Sequence, residues 1–330
     1  MRSSKKLIRY IINSIIIILI VLLGLLGIRY YENKIDLANS KKIEEEALIL
    51  SYYEHNGQYY KQNNDIELIL CVGLDSEEYS IYDSYRNNEL ADCIVLLAYN
   101  KTNNTVLPIQ INRDTMCDYH VLGIGGKITN DTFGQIALSH SYGSGDMQSL
   151  VNVKDAVSNL MCNIKIDYYI SLTMNAVAKV NDKAGGVKVY VEDDFSSIDS
   201  TLTQNKEVTL YGDHALTFVR ARQGLDDSSN INRLKRQRVY LRSLYDTCKQ
   251  KVETDNSFIS NCLESVSEYL IANTNIYGLS DIGNDILNAE LLESVQLEGK
   301  ASINNEYAEF YVDEDVLEEF CINTFYKSVN

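Results

Sequence analysis

A buried β-strand is predicted at residues 66–73, which read IELILCVG and stop at Leu74-Asp75. Two similar runs follow, at residues 92–99 (DCIVLLAY) and, after the turn-forming residues 100–104, at residues 106–112 (VLPIQIN). If the second strand runs antiparallel to the other two, the first and third strands end at the sheet edge where the second begins. The lone proline, Pro108, suits an edge strand or a bulge.

Charged residues stand where these predicted strands begin or end. Asp75 follows the first strand, Asp92 opens the second, and Arg113-Asp114 closes the third. With an antiparallel second strand, Asp75, Asp92 and Arg113 share one edge of the sheet. Two facing carboxylates suit Mg²⁺ or a similar divalent ion, and the arginine could hold a phosphate beside it. The alternative is that the aspartates cap turns and the arginine forms a surface ion pair.

Helices and strands alternate through the rest of the chain. Strands are predicted at 166–172, 187–191, 295–299 and 308–312, and helices at 151–160, 175–183, 258–271, 282–292 and 314–326. The alternation indicates an α/β domain with a mixed central sheet and helices on both sides. No linker rich in Pro, Gly or Ser separates the C-terminal elements, so we assign them to the same domain, with a structural role.

Arginines are concentrated at residues 219–222 (VRAR) and 230–238 (NINRLKRQR), although the formal net charge of the chain is −16. Closely spaced guanidinium groups repel one another, so their concentration favours an anionic ligand such as phosphate or pyrophosphate. Helical phase places Arg233 and Gln237 on the side of the apolar stripe formed by Leu234, Leu241 and Leu244. It turns Arg236 and Arg238 to other faces, where we expect solvent contact.

The N-terminal region predicts a membrane anchor. Residues 10–28 contain no charged side chain and as a helix would span about 28 Å, close to the thickness of the bilayer core. Basic residues precede this run, so residues 1–9 are predicted to be a cytoplasmic tail, and residues 65–330 an extracellular domain on a stalk at 29–64. The alternative is a cleaved signal peptide, although no small-residue cleavage site follows.

Charge is divided unevenly along the chain. Residues 1–34 carry six Lys/Arg and one Glu, a net charge of +5, which leaves −21 on the remainder. An acidic domain of this kind argues against nucleic acid as a partner, because a polyanion is bound by broad positive potential. A transcriptional role is therefore disfavoured.

Motifs in this order resemble the LytR-CpsA-Psr family of cell-envelope proteins over about residues 65 to 250. The matching residues are Gly73-Leu74-Asp75, Asp92, Arg113-Asp114-Thr115, Asp167-Tyr168-Tyr169, Gly185-Gly186-Val187, Val219-Arg220-Ala221-Arg222, and Arg233 followed by Arg236-Gln237. Each motif is weak alone, but their combination in sequence order is specific.

The resemblance implies a membrane-anchored phosphotransferase. Such a protein moves a glycan-1-phosphate from a polyprenyl-pyrophosphate carrier, whose tail lies in an apolar tunnel, to a muramic acid hydroxyl of peptidoglycan; the polymer is wall teichoic acid or capsule. By resemblance, Asp75 and Asp92 hold Mg²⁺ or Mn²⁺, and the pyrophosphate is bound by Arg113, Arg220, Arg222, Arg233 and Gln237. We expect Asp75, and next Asp114, to accept the proton of the attacking hydroxyl, with Arg113 stabilising the phosphate charge.

Three departures from the family pattern leave an alternative open. Leu90-Ala91 stands where the family usually has Arg-Ser, Asn112 stands in place of a proline, and Asn230 in place of an aspartate. Arg86 could replace the missing arginine if its loop folds back. The alternative is a non-catalytic or regulatory envelope protein that binds polyprenyl phosphates without turnover.

Overall fold

The structure is a computed structural model that describes residues 29, 34, 52–79, 86–221, 225, 230–304 and 307–329. Its chain forms two compact units, one of Met1–Lys61 with Ser328–Asn330 and one of Gln62–Lys327. Within the predicted stalk, β1 (Tyr53–His55) and β2 (Gln58–Gln62) form an antiparallel hairpin. The predicted membrane helix at 10–28 lies outside the described residues. Among those that are described, no helix has the length and apolarity needed to cross a membrane.

A seven-stranded mixed sheet forms the centre of the larger unit. Its strands are β3 (Ile66–Leu74), β4 (Ala91–Asn100), β5 (Thr105–Ile111), β8 (Tyr168–Leu172), β11 (Leu270–Ala272), β12 (Glu290–Leu291) and β13 (Val295–Gln296). Their order is β11-β8-β3-β4-β5-β12, with β13 also paired to β5. Strand β4 runs antiparallel to both β3 and β5, and β8 runs parallel to β3. The predicted topology is confirmed, so β3 and β5 end at the edge where β4 begins.

Besides three short 3-10 helices, the described residues of the larger unit form α-helices and three hairpins, and a final strand follows the last helix. The helices are α1 (Met147–Leu160), α2 (Met174–Lys183), α3 (Asp213–Arg220), α4 (Asn230–Val252), α5 (Phe258–Ser265), α6 (Ile276–Asn288) and α7 (Glu314–Phe325). The strands are β6 (Met116–Leu122) with β7 (Ile128–Gln135), β9 (Val187–Val191) with β10 (Lys206–Leu210), β14 (Gly299–Asn304) with β15 (Tyr307–Val312), and β16 (Tyr326–Ser328).

Helices cover both faces of the sheet, as predicted. Alternate residues of β3, such as Leu70 and Val72, form one core with α1 and α7. On the opposite face, the side chain of Gln110 in β5 donates to the backbone oxygen of Leu234 in α4. A second core, centred on Phe218, joins β9, β10, α3 and α4. Helix α4 therefore contacts the sheet on one side and this second core on another.

Pro108 explains a break in the outermost part of the sheet. Strand β12 pairs with Thr105 and Val106 of β5, and β13 pairs with Ile109 and Gln110. Pro108 lies in the gap between the two pairings, and proline has no backbone N–H to donate to a neighbouring strand. The prediction of an edge strand or bulge was therefore wrong in form: β5 is an inner strand whose neighbour is interrupted opposite the proline.

Two predicted C-terminal helices were wrong at their ends. Helix α5 ends at Ser265, and the last two residues of the predicted helix, 270 and 271, instead belong to β11. Helix α6 starts at Ile276, six residues earlier than predicted, because the side chain of Asn275 caps it by accepting from the Gly278 N–H at 2.9 Å. Short apolar runs fit either a helix or a buried strand, and here pairing with β8 decides for a strand.

Candidate active site

A β-bulge displaces Asp92 from the regular pairing of β3 with β4. Leu74 lies opposite Ala91, whereas the register of the preceding pairs would place it opposite Asp92. Ile94 and Leu96 face the core, so strict alternation would also turn Asp92 toward the core. The extra residue reverses the alternation, and the carboxylate of Asp92 leaves the apolar core for the sheet edge.

Two arginines hold the carboxylate of Asp92. Arg113 Nη1, at the end of β5, donates to Oδ1, and Arg233 Nη1, in the first turn of α4, donates to Oδ2 at 2.9 Å. Arg233 Nη2 also donates to the backbone oxygen of Asp92 at 3.2 Å. The Arg233 side chain is only 3% exposed, whereas that of Asp92 is 22% exposed. The cluster is therefore buried at Arg233 and partly exposed to solvent at Asp92, where an anion could approach the guanidinium groups.

Asp75 lies beside this cluster. Its Oδ1 accepts from the Leu90 N–H at 2.7 Å, and its own N–H donates to the Leu90 oxygen at 3.2 Å. Burial raises the pKa of Asp75; the Leu90 hydrogen bond opposes this rise, the charge of Asp92 adds to it, and Arg113 lowers it again. The Asp75 carboxylate is therefore a stronger proton acceptor than an ordinary aspartate.

Asp114 occupies the turn after β5. It is 6% exposed, and its Oδ1 lies 3.4 Å from Arg113 Nε and 3.3 Å from Gln135 Nε2. The side-chain oxygen of Asn112 accepts from the Asp114 N–H at 3.0 Å and from Asn230 Nδ2 at 2.6 Å. Asn112 and Asn230, two departures from the family pattern, thus bond to each other and connect the turn to the start of α4.

Of the predicted pyrophosphate-binding residues, Arg113 and Arg233 are brought to this site, and Gln237 lies about one turn further along α4. Gln237 is 7% exposed and lies 3.5 Å from Gln110 Nε2, so the predicted inward orientation of Arg233 and Gln237 is confirmed. Arg220 is exposed at the end of α3, and no contact places it on the cluster. Arg222 lies outside the described residues.

Arg86, which could replace the arginine missing before Asp92, lies against Tyr142. Its guanidinium group lies over the ring of Tyr142, 4.9 Å from the centroid, and its backbone forms a bridge with the same residue. The next residues instead form a fixed loop, in which the Asn87 side chain donates to the backbone oxygens of His140 and Gly143. This loop positions the Leu90 N–H that bonds to Asp75.

The expectation that Arg236 contacts solvent was wrong. The residue is 6% exposed: Nε donates to the Phe218 oxygen at 3.0 Å, Nη1 to Asp193 at 2.5 Å, and Nη2 to the Ala221 oxygen. Helical phase identified only the stripe that faces the sheet. The second core covers another side of α4, and Arg236 is buried there as a structural residue.

We expect Arg236→Met to lower the free energy of unfolding by about 3 kcal/mol, because it leaves the Asp193 carboxylate and two buried carbonyl groups without their donor. Urea denaturation of the full chain measures this loss. Arg238→Met, two residues along the same helix at a half-buried position, is the matched control and should change stability by less than about 0.5 kcal/mol. Equal stability of the two variants would contradict the structural role of Arg236.

Asp75 and Asp92 are the two residues that could hold a divalent cation. They are close enough for the charge of Asp92 to raise the pKa of Asp75. In the described part of the chain, no group of three or more His, Cys, Asp or Glu side chains could hold a metal ion. Mg²⁺ in phosphoryl-transfer sites is commonly bound by one or two carboxylates, with water and substrate phosphate as further ligands. Both carboxylate oxygens of Asp92 accept from arginines in this structure, so Asp92 would have to release at least one of these partners to hold such an ion.

An apolar surface adjoins the charged cluster on the α4 side of the sheet. Directly paired residues share a face, and this face carries Ile69 opposite Leu97 and Cys71 beside both Val95 and Ile170. Leu97, Cys71 and Ile170 are only half-buried. Leu241 of α4 is 38% exposed although it shares the helical face of Gln237. The apolar side chains of the sheet and of α4 are thus not fully packed against one another.

Residues that sequence reasoning missed complete the site. The Gln135 side chain of β7 donates to the Asp114 carboxylate, and the Phe310 N–H of β15 donates to the Asp114 backbone oxygen at 2.9 Å. Leu90 contributes a backbone group, which its side-chain identity does not reveal. No local motif marks Gln135, and Phe310 lies in a predicted C-terminal strand to which only a structural role was assigned.

Comparison with known proteins gives matching relatives and folds. The polyisoprenyl-teichoic acid–peptidoglycan teichoic acid transferase TagU of Halalkalibacterium halodurans is 26% identical over 242 residues, which is 72% of each chain. TagU of Bacillus subtilis is 26% identical over 60% of each chain. The crystal structure of B. subtilis TagV superposes with a TM-score of 0.62 at 20% identity, over 79% of this chain and 98% of TagV.

Another solved structure, TagT bound to LI-WTA, superposes with a TM-score of 0.59 at 21% identity, over 79% of this chain and 90% of TagT. The LytR_cpsA_psr family model matches residues 29–324, which include every residue of the cluster at the sheet edge and the C-terminal elements beyond the motifs. With that match and this fold, the chain belongs to the LytR-CpsA-Psr family.

Proposed function

We propose that this protein transfers a glycan-1-phosphate from a polyprenyl-pyrophosphate carrier to a muramic acid hydroxyl of peptidoglycan and releases polyprenyl phosphate. The observation that carries the proposal is the cluster of Asp75, Asp92, Arg113 and Arg233 at one sheet edge, next to an apolar surface. Charged groups suit the pyrophosphate, and the apolar surface suits its lipid. The relatives named as teichoic acid transferases support the same reaction class.

The reaction assigns a role to each residue of the cluster. The muramic acid hydroxyl attacks the sugar-proximal phosphorus, and the bridging oxygen leaves with polyprenyl phosphate. Asp75 accepts the hydroxyl proton, for which its raised pKa suits it, with Asp114 as the second candidate. Arg113 and Arg233 neutralise charge on the phosphate oxygens. From the family resemblance alone, we propose that Gln237, Arg220 and Arg222 join them when the donor binds. Mg²⁺ or Mn²⁺ held by Asp75 and Asp92 would add positive charge at the phosphates.

The membrane placement belongs to this proposal. Residues 10–28 would form a single-pass anchor with residues 1–9 in the cytoplasm and the LytR-CpsA-Psr domain outside the cell membrane. A lipid-linked donor and peptidoglycan meet on that side. The apolar surface around Leu97 would then take the polyprenyl chain.

We expect Leu97→Asp to weaken binding of polyprenyl phosphate by at least about tenfold, because a carboxylate on the apolar surface must lose water when hydrocarbon covers it. Titration of the full chain in detergent measures the affinity. Val316→Asp, at a 40% exposed position of α7, is the control and should bind like the wild type. If both variants bind equally well, the lipid lies elsewhere.

The proposal is tested by incubating the full chain with a polyprenyl-pyrophosphate-linked glycan, Mg²⁺ and peptidoglycan fragments, and by following polyprenyl phosphate. Release that requires both the fragments and the divalent ion supports transfer. Tight binding of the donor without release would instead support the alternative of a non-catalytic binding protein. That alternative is favoured by one observation: Asp92 already neutralises Arg113 and Arg233.

A further inference from the structure

The β14–β15 hairpin is attached directly to the turn that carries Asp114. The Phe310 N–H donates to the backbone oxygen of Asp114 at 2.9 Å, and Phe310 forms a parallel bridge with Thr115. Gln135 Nε2 donates to the Ala308 oxygen at 2.6 Å and also lies 3.3 Å from Asp114 Oδ1. The hairpin is thus a wall of the candidate active site, although it lies almost 200 residues away in sequence.

The two faces of the hairpin differ in exposure. Phe310 is half-buried, and Val312, on the same face of β15, packs against the main core. Tyr307, Glu309 and Tyr311 alternate with these residues and face outward. Tyr307 is 70% exposed and Tyr311 is 43% exposed. Two tyrosine rings therefore stand on one surface, about 13 Å apart along the strand.

Polar groups between the rings form a connected set. Glu309 accepts from Tyr311 Oη at 2.9 Å, from Asn304 Nδ2 at 3.2 Å and from Ser302 Oγ at 3.5 Å. Asn304 and Ser302 lie on β14 directly opposite Tyr307 and Glu309. The outer face thus combines flat aromatic rings with amide, hydroxyl and carboxylate groups, which can both donate and accept hydrogen bonds.

This outer face is continuous with the catalytic turn. Thr115 is buried and pairs with the half-buried Phe310, so the next residue, Met116, turns to the outer side. Gln135 lies opposite Met116 and shares its face, and the Gln135 amide reaches the Asp114 carboxylate. A ligand on the tyrosine surface can therefore extend to Gln135, whose amide covers the buried Asp114, without crossing the hairpin.

We propose that the outer face of the β14–β15 hairpin, with Tyr307 and Tyr311 on either side of Glu309, binds the acceptor glycan strand. Sugar rings present C–H faces surrounded by hydroxyl and N-acetyl groups. Tyrosine offers an apolar ring with a polar tip for such a surface, and Glu309 and Asn304 offer partners for hydroxyl and amide groups. The inference adds an acceptor-binding surface to the proposed transfer reaction, and the assignment of the bound glycan as the acceptor rests on that reaction.

Charge favours the acceptor over the donor polymer as the occupant. Glu309 is at the centre of the face, and the chain as a whole carries a formal net charge of −16. An anionic glycopolymer with phosphate in every repeat would be repelled there more strongly than a peptidoglycan glycan strand, whose backbone bears at most one carboxyl group per disaccharide, on muramic acid. The arginines that attract the donor lie on the other side of Asp114, at Asp92.

The test uses the full chain in detergent with the double substitution Tyr307→Ala and Tyr311→Ala. A soluble peptidoglycan tetrasaccharide serves as the probe in titration and as the acceptor in transfer assays. We expect its dissociation constant and its KM each to rise about tenfold. Hydrolysis of the donor by water, the donor affinity and the melting temperature should not change. Tyr277→Ala, at a 79% exposed position of α6, is the matched control.

Each other outcome overturns the inference. An unchanged tetrasaccharide affinity would show that the acceptor binds elsewhere, and an equal loss of donor affinity would assign the face to the donor. Loss of a dimer in sedimentation would assign it to a second copy of the chain, paired through the free edge of β14. Failure of the proposed function is distinguishable, because then the wild type would bind the tetrasaccharide through this face without transferring phosphate to it.

Discussion

Replacing Asp75 by asparagine is expected to lower the rate of transfer about 10³-fold at saturating Mg²⁺, while Arg113 and Arg233 still bind the donor. The amide cannot accept the proton of the attacking hydroxyl, and loss of a general base costs roughly 10² to 10⁴ in rate. Asparagine still offers an oxygen to the Leu90 N–H, so the loop geometry is retained. Single-turnover kinetics with saturating donor and acceptor separate this chemical step from binding.

Stability distinguishes this effect from unfolding. Burial disfavours the charged form of Asp75, so a neutral side chain at that position should leave the free energy of unfolding unchanged or raise it. Asp281→Asn, at an exposed position of α6, is the control and should alter neither rate nor stability. An Asp75→Asn variant with full transfer activity would remove Asp75 from the mechanism.

Arg233→Met is expected to reduce both donor affinity and stability. Arg233 donates to the carboxylate and to the backbone oxygen of Asp92, and it is 3% exposed. Breaking a buried ion pair by removing one partner costs about 3 kcal/mol, and losing one phosphate-neutralising cation should weaken donor binding about 10²-fold. Urea denaturation and donor titration measure the two losses.

A double substitution tests whether the loss of stability arises from Asp92. In the Arg233→Met variant, the Asp92 carboxylate keeps Arg113 as its remaining arginine partner. Adding Asp92→Asn removes that carboxylate, so part of the lost free energy of unfolding should return. Donor affinity should not return, because the cation is still missing. If the second substitution destabilises the protein further, the account of Asp92 as a charge held by two arginines is wrong.

The strands β3, β4 and β5 were predictable because they are long apolar runs, and the short turn between β4 and β5 favours an antiparallel pair. The connection from β3 to β4 is long, so their antiparallel pairing, which places Asp75, Asp92 and Arg113 at one edge, was a condition of the prediction. The helical phase of α4 likewise predicted that Arg233 and Gln237 face inward. In these cases a single hydrophobic pattern, of a strand or of a helix, predicts the element and the side chains that face inward.

Other features depend on contacts between distant segments. The bulge at Asp92 is a matter of register between two strands, and no residue type announces it. Arg236 is buried because α3 and residue Asp193 cover a second side of α4, and a single helix pattern cannot show two buried sides. The approach of β15 to Asp114 joins residues nearly 200 positions apart, so the outer tyrosine face had no local signal.

The central claim is that the sugar-proximal phosphorus of the donor moves to peptidoglycan at the Asp75 and Asp92 site. The most direct measurement uses a donor labelled with ³²P at that phosphorus alone, incubated with the full chain, Mg²⁺ and the peptidoglycan tetrasaccharide. With the wild type, we expect the label on the muramic acid residue and unlabelled polyprenyl phosphate as the released product. With Asp75→Asn, we expect almost no labelled product. Label that stays on the bound donor, or that appears in polyprenyl phosphate, would contradict it.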